Sequence, residues 1–502
     1  MYIFKKSLPL LIIYSAVVLL YFPSLTTYFS HDDFFHFKIS MTDGSLGQFV
    51  NFFGFHPFNE RLIAFYRPIF REVLYNTFYN LFGLNQLPFR LLSFAIHFIN
   101  IYLVFNLMQL LFKKKFISYF ASFFFAITAA NVSSFYYLAG GIQTQGATML
   151  ILLSIITFIL YLDEKAIKLK YFSFVFFILA LSSHEQSAII PLLMVGILFI
   201  KFKYKTAIKK IFTLWSFFLF VAIYIYLNIT VIGYSSTETQ YQMVFGLKTN
   251  LQTILWYLVW ALGLPETFVD FLLPSFKLNP SLMRYWGNYY RTIFPAFTVS
   301  VILILTAKII IYFKKKNLLF DKKFLFLITW FPLGILPVLF LPAHKSTHYL
   351  YPSLPAFWGI IAYLIFNGYN LLIKHHLKLS NIFLFALLTS LTLLSSTSAV
   401  LGRTTYWAAQ RGRLAGILID EVKTKYPTLP KGAVLYFTND PEYPFVSEAW
   451  GGTSKQAYFA LNGEDGLQLL YNDPALRVFY EDLGGVPENF PEEKIYILVA
   501  RI

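Results

Sequence analysis

A chain of 502 residues that is 57% hydrophobic and only 13% charged lies outside the range of ordinary globular proteins, which carry about 25% charge. Its mean hydropathy of +0.59 and 20% aromatic content suit a multi-pass membrane protein, whose amphipathic rings settle in the interfacial belts. The absence of cysteine excludes disulfides, thiolate catalysis and Cys-ligated zinc. The net charge of +16 belongs entirely to residues 1–402, because residues 403–502 hold 10 basic against 13 acidic side chains. That excess sits in short runs between apolar stretches, as the orientation of membrane spans by cytoplasmic Lys and Arg requires. Nucleic-acid binding is the poorer explanation of it.

An apolar run of about 20 residues crosses a bilayer. The first, residues 8–23, follows Lys5-Lys6 and lacks a small-x-small cleavage site, which predicts an uncleaved anchor with its N-terminus inside. The next, 87–112, ends at Lys113-Lys114-Lys115. Residues 24–85 between them form an outer loop far longer than a connection needs. Spans at 116–135 and 145–162 follow, joined outside by Leu138-Ala139-Gly140-Gly141 and closed inside by Asp163 to Lys170. Residues 171–200 are flanked by basic residues at both ends, so a hairpin turning near Ser183-His184-Glu185-Gln186 keeps both flanks inside. Spans at 211–232, 292–313, 324–341, 353–373 and 380–400 complete the pattern, with Lys314-Lys315-Lys316 and Lys374-His375-His376 inside. The segment 251–273 is interrupted by Gly263, Pro265, Glu266 and Asp270 and reads as an interfacial or re-entrant helix. The expected fold is a polytopic all-α membrane protein of about 11 spans, with its C-terminus outside.

After Arg403 the composition turns soluble. Residues 406–426 predict an amphipathic helix, with Trp407, Leu414, Ile417, Leu418 and Val422 at helical spacing. Val434 to Phe437 and Ile495 to Val499 predict short buried strands, separated by turn signals such as Asn439-Asp440-Pro441. Residues 403–502 are therefore a small α+β domain on the outer side.

Several groups beyond the spans are candidates for chemistry. Asp32 and Asp33, in His31-Asp32-Asp33-Phe34-Phe35-His36-Phe37, lie a few residues past the first span. Adjacent carboxylates amid aromatics repel each other and lose solvation, which raises the pKa of one and suits a general base; a solvated, N-capping turn is the competing reading. Arg67 precedes Pro68, which suits the first position of a helix, and Arg71 lies one turn further on. A guanidinium beside free helix amides can hold a phosphate, or the two arginines reach lipid head groups. Arg90 and His97 share one face of the span 87–112, where polar groups turn to the protein interior. His97 is either a satisfied core histidine or part of a phosphate pocket. His184 and Glu185 at the hairpin tip are either functional or a structural pair. The late outer loop from Pro342 to Pro352 holds His344, Lys345, His348 and Tyr349; two histidines at i, i+4 without a carboxylate favour phosphate over metal. Arg284 and Arg291 in the outer loop 274–291 are surface charges by default.

An acidic pair past the first span, then Tyr66-Arg67-Pro68, a His-bearing second span and Tyr349-Leu350-Tyr351-Pro352-Ser353 in a late outer loop resemble the GT-C membrane glycosyltransferases. The match is to the bacterial family-39 branch related to protein O-mannosyltransferases, and Tyr-Arg-Pro also resembles the animal transmembrane O-mannosyltransferases with tetratricopeptide repeats. The resemblance covers roughly residues 1–400 and implies a GT-C-like transmembrane catalytic domain over 1–402 in a bacterial-type cytoplasmic membrane. It implies a catalytic carboxylate at Asp32 or Asp33 and a lipid-linked sugar phosphate held by Arg67, Arg90, Lys345 and His348. Where the family has Arg before its Tyr-Leu-Tyr, this chain has His348. Residues 403–502 show no tetratricopeptide pattern.

The expected activity is an inverting sugar transfer from a polyprenyl-phosphate donor to an acceptor hydroxyl on the outer face, the acceptor being a glycan, lipid or protein. No nucleotide-binding motif is present and no metal or other cofactor is required, although the acidic pair could recruit a divalent ion. The alternatives are a transporter or flippase of a lipid-linked sugar, a surface-polysaccharide polymerase or ligase, and a non-catalytic scaffold presenting residues 403–502. The topology is testable in a chain without cysteine. An impermeant thiol reagent should label a cysteine at position 440 in intact cells and one at 114 or 315 only after lysis. Labelling at 440 only after lysis would contradict the orientation.

Overall fold

The computed structural model describes residues 2–233, 241–273, 277–443, 451–487 and 495–501, with side chains from residue 8 onward. The side chains of Lys5 and Lys6, and residues 274–276 of the predicted outer loop, lie outside that description.

All of the eleven predicted spans fall on helix. They are α1 (Tyr2–Tyr21), followed after a short extramembrane helix α2 (Asp32–Ile39) by α3 (Gln86–Phe112), α4 (Lys115–Ile127), α5 (Leu138–Glu164), α6 (Ile167–Leu181) and α7 (Ile190–Lys201). Then come α8 (Trp215–Leu227), α10 (Pro280–Lys315), α11 (Lys322–Leu339), α12 (Leu354–Ile373) and α13 (Leu377–Thr405), with α9 (Leu247–Leu262) on the interrupted segment as a helix beyond those eleven. Among the described residues, eight helices are long and apolar enough to cross a membrane. Helices α4, α6 and α7 have only 13, 15 and 12 residues, which at 1.5 Å per residue reach about 18–23 Å of a hydrocarbon core about 30 Å thick. The predicted span 116–135 is shortened because α4 stops at Thr128 and a separate turn of helix, Asn131–Tyr136, follows it. Leu138 to Gly141, expected as an outer connection, form the buried first turn of α5. Helix α9, on the interrupted segment, is not among the eight and ends at Gly263 (φ +122°).

Helix boundaries follow local chemistry. Asn85, Asn279 and Asp321 accept hydrogen bonds from amides of the first turns of α3, α10 and α11, meeting donors a helix N-terminus cannot satisfy internally. Lys113 and Lys165 take left-handed φ values of 54° and 57° where α3 and α5 stop. Lys201 Nζ reaches both oxygens of Asp163 at 2.5 and 2.7 Å. The end of α7 thus returns to the place where α6 began, which is the geometry of a hairpin. Lys322 Nζ bonds the Phe199 carbonyl at 2.9 Å, so the start of α11 shares that lysine-rich end.

At the opposite end stands the C-terminal region. Helix α14 (Trp407–Lys425) leaves α13 through extended Tyr406. Strands β1 (Val434–Asn439), β2 (Arg477–Tyr480) and β3 (Ile495–Ala500) pair in parallel in the order β2-β1-β3. Two of them are the predicted strands. Helix α15 (Thr453–Leu461) and helix α16 (Asp465–Tyr471) fall between β1 and β2. Leu418, Leu435, Leu461 and Leu467 share one buried core with Phe29, Phe34 and Phe37. The C-terminal unit is therefore seated on the helix that carries the acidic pair. This is a polytopic, mostly helical membrane protein with a small C-terminal strand-containing region.

Candidate functional site

Two neighbouring aspartates have opposite environments. Asp33 is fully buried. Its Oδ2 accepts from the Ser30 amide at 2.9 Å and its Oδ1 from Tyr75 Oη at 2.8 Å. Asp32 is turned the other way, with its side chain 36% exposed. Tyr137 Oη donates to Asp32 Oδ2 at 2.5 Å, and His31 Nε2 lies 3.6 Å from Oδ1. His31 itself has φ +32°, a conformation costly for a side chain with a Cβ. Its amide donates to the Ala460 carbonyl at 3.0 Å and its Nδ1 is 2.8 Å from the Phe459 carbonyl. Two contacts from α15 thus hold the turn that presents Asp32.

From Asp32 a chain of side chains runs along this end of the bundle. The Tyr137 ring is 5.4 Å from His348, and the His348 ring is 3.9 Å from Tyr349. Gly140 makes that approach possible, because a Cβ there would lie 2.4 Å from the Tyr137 ring and 3.1 Å from His348. His348 Nδ1 is 3.0 Å from Ser346 Oγ, and burial, with the neighbouring His344, His184 and Arg67, keeps its pKa well below the usual histidine value. Glu266, just past α9, accepts from Ser346 Oγ at 3.1 Å and the Thr347 amide at 2.7 Å, and from Thr347 Oγ1. It fixes the loop beneath His348. Lys345 Nζ donates to the Pro342 carbonyl at 2.8 Å.

Arg67 stands at the far end of this chain, and its fork is occupied. It donates to Glu185 from Nε at 2.8 Å and Nη2 at 2.7 Å, and to Gln143 from Nη1 at 2.9 Å. Burial acts to raise the Glu185 pKa, but Arg67 and His184 bring it down to about 2. His184 Nδ1 accepts from the Gln186 amide at 3.3 Å. Arg71 is closed by its neighbour, with Nε and Nη2 on Glu72 at 3.0 and 2.9 Å. Arg90 is buried and donates to the carbonyls of Thr27 at 3.2 Å, Tyr28 at 3.0 Å and Phe135. His97 is engaged on both nitrogens, by Tyr351 Oη at 2.6 Å and the Ala126 carbonyl at 3.1 Å. The structure thus gathers Asp32, Arg67, His184, Glu185, Lys345, His348 and Tyr349 at one end, with Asp33, Arg71, Arg90 and His97 behind them. Among the described residues no group of three or more His, Asp and Glu could hold a metal ion.

Sequence reasoning missed Tyr137, Gln143 and Glu266 as site residues, and took Trp407 only as part of an apolar helix face. It missed Arg411 as well, whose guanidinium carbon lies 4.9 Å from the Trp407 ring centroid. The i, i+4 relation of Trp407 and Arg411 was the available signal.

Neither a family model nor a curated relative matches this chain. Among solved structures it is similar to the Archaeoglobus fulgidus oligosaccharyltransferase tethered with an acceptor peptide, at 12% identity and a TM-score of 0.49, over 95% of this chain and 64% of that one. The same organism's oligosaccharyltransferase AglB, in complex with an inhibitory peptide and a dolichol-phosphate, gives 12% identity and a TM-score of 0.48, over 96% and 65%. The arabinofuranosyltransferase AftD from mycobacteria gives 14% identity and a TM-score of 0.43, over 93% and 31%. The chain spans less than two thirds of each of these proteins, and likenesses this distant carry none of the functional reading below.

Burial raises the Asp33 pKa to about 6, against the opposing effects of Arg90, Ser30 and Tyr75. The folded value exceeds the ordinary 3.8, so the folded state binds this proton more tightly than the unfolded chain does. The resulting stabilisation is complete below about pH 4 and is lost as pH rises through about 6. Asp33→Asn removes this titration. The melting temperature of the wild type minus that of Asp33→Asn should therefore fall between pH 4 and pH 7, and a constant difference across that window would contradict the burial of an ionisable group here.

Proposed function

We propose that this chain is an integral-membrane glycosyltransferase of the GT-C type, moving a sugar from a polyprenyl-phosphate donor to an acceptor hydroxyl at the membrane face where Asp32 stands. The observation that carries this reading is the Asp32 carboxylate: part-exposed at the end of an apolar helical bundle, oriented by Tyr137 through one oxygen. In this reading the other oxygen takes the proton of the acceptor hydroxyl as that hydroxyl attacks the anomeric carbon. The bond from that carbon to the phosphate oxygen breaks, the lipid phosphate leaves with the electron pair, and the configuration inverts. Asp33, Arg71, Arg90 and His97 hold the surrounding backbone and helices, while Arg67, His184, Glu185, Lys345, His348 and Tyr349 form the wall facing the sugar. Because Glu185 already neutralises Arg67, that pair is a polar wall more than a free cation. The Asp32 end faces outside in this reading, with the lysine-rich end inside by the positive-inside rule.

A transporter would place charged groups near the membrane midplane, with paired broken helices. Among the described residues, the acidic side chains of residues 1–402 lie outside the long apolar helices or in the last turn of one, at Asp163 and Glu164, which favours chemistry at the ends. A polysaccharide polymerase or ligase would use the same geometry with a glycan as acceptor.

The test is turnover of lipid-linked sugars from the native host by purified protein, followed by mass spectrometry. Loss of a general base typically costs about 10²–10⁴-fold in rate, so Asp32→Asn should lose activity on that scale while still binding donor. A near-wild-type rate in Asp32→Asn would remove Asp32 from the chemistry.

A further inference from the structure

Helix α14 brings two residues to this end that the proposed mechanism leaves without a part. The Arg411 guanidinium lies against two rings, 4.9 Å from the Trp407 centroid and 5.1 Å from that of Phe459. Both ring-bearing residues lead to Asp32, Trp407 through its ring and Phe459 through its carbonyl. Trp407 lies 4.9 Å from the Tyr137 ring, whose hydroxyl donates to Asp32. The Phe459 carbonyl is 2.8 Å from His31 Nδ1, and the other His31 nitrogen is 3.6 Å from Asp32. Arg67, Arg71 and Arg90 have their forks filled by carboxylates or carbonyls. Arg411 differs, since none of its N–H groups has a hydrogen-bond acceptor among the described residues. Contact with ring faces occupies no N–H group of a guanidinium, and its N–H edge matches two oxygens of a phosphate.

Resting on the glycosyltransferase reading, we propose that Arg411 is the cation that receives the phosphate of the lipid-linked donor, with Trp407 as the wall beside it. The C-terminal region then completes the site instead of merely adjoining it. Burial lowers the Arg411 pKa while the Asp32 carboxylate acts to raise it, and a guanidinium stays charged in proteins. A departing phosphate held here would lie next to the carboxylate that activates the acceptor.

The test is a titration of the purified full chain in detergent with farnesyl phosphate, farnesol and inorganic phosphate, read by tryptophan fluorescence. The wild type should bind farnesyl phosphate at least tenfold more tightly than farnesol. Arg411→Met, which keeps an unbranched apolar stem, should lose most of that preference, and Arg411→Lys should recover part of it. If the Met variant does not fold, Arg411→Gln alongside Arg411→Lys makes the same comparison. A wild type without preference for the phosphate overturns the inference together with the reading beneath it. A wild-type preference that survives in Arg411→Met and Arg411→Gln overturns the inference alone. Inorganic phosphate displacing farnesyl phosphate at equal concentration marks a free-phosphate site and overturns the assignment to a lipid donor.

Discussion

Asp33 is the constraint around which the candidate site is organised. A carboxylate taken fully out of water is costly unless hydrogen-bonded and paired, and here Ser30, Tyr75 and the Arg90 charge offset part of that cost, with burial still the larger effect. Arg90 in turn binds the carbonyls at 27, 28 and 135. The chain leaving the first span is thereby tied to α3 and to the short helix before α5. Removing any member would leave a buried charge or several carbonyls without partners. The same turn forces Asp32 outward, so the burial of one aspartate positions its neighbour.

The C-terminal region acts on that turn from the other side. His31 is held in a left-handed conformation by the Ala460 and Phe459 carbonyls, Lys38 is paired with Asp465 at 3.8 Å and donates to Gln468, and Phe34 and Phe37 enter the core of the α/β layer. Strain at a single backbone position persists when the surroundings over-determine it. The acidic helix is clamped between a membrane bundle and a soluble layer, an arrangement that preorganises a carboxylate instead of leaving it on a mobile loop.

Much of the architecture was legible because lipid leaves few choices. Apolar length and lysine runs located eleven helical stretches, two of them the arms of a hairpin, and the Lys201 bond to Asp163 at the end of α5 marks where α7 comes back. The lengths of α4, α6 and α7 were not legible, since helix ends depend on breaks such as the one at Thr128 rather than on hydropathy. The division of labour between Asp32 and Asp33 was invisible for a different reason. It depends on Tyr75 and Arg90, tens of residues away in sequence. The state of Arg67 likewise depends on Glu185, 118 residues further along the chain. Residue type identified groups capable of chemistry, and tertiary pairing decided which of them keep a free face. Arg411 shows in the sequence only as a charge on an amphipathic helix, because the second ring it meets, Phe459, comes from α15.

The proposed chemistry requires that a sugar phosphate and the Asp32 carboxylate meet at the end of the bundle beside helix α14. An experimental structure with a phosphonate analogue of a polyprenyl-phosphate sugar tests it directly. The account predicts the phosphonate on the Arg411 edge, the lipid chain running along the apolar helices, and Asp32 facing the anomeric carbon from the side opposite the phosphonate. An analogue seated at the lysine-rich end, or one whose anomeric carbon lies out of reach of Asp32, would contradict it.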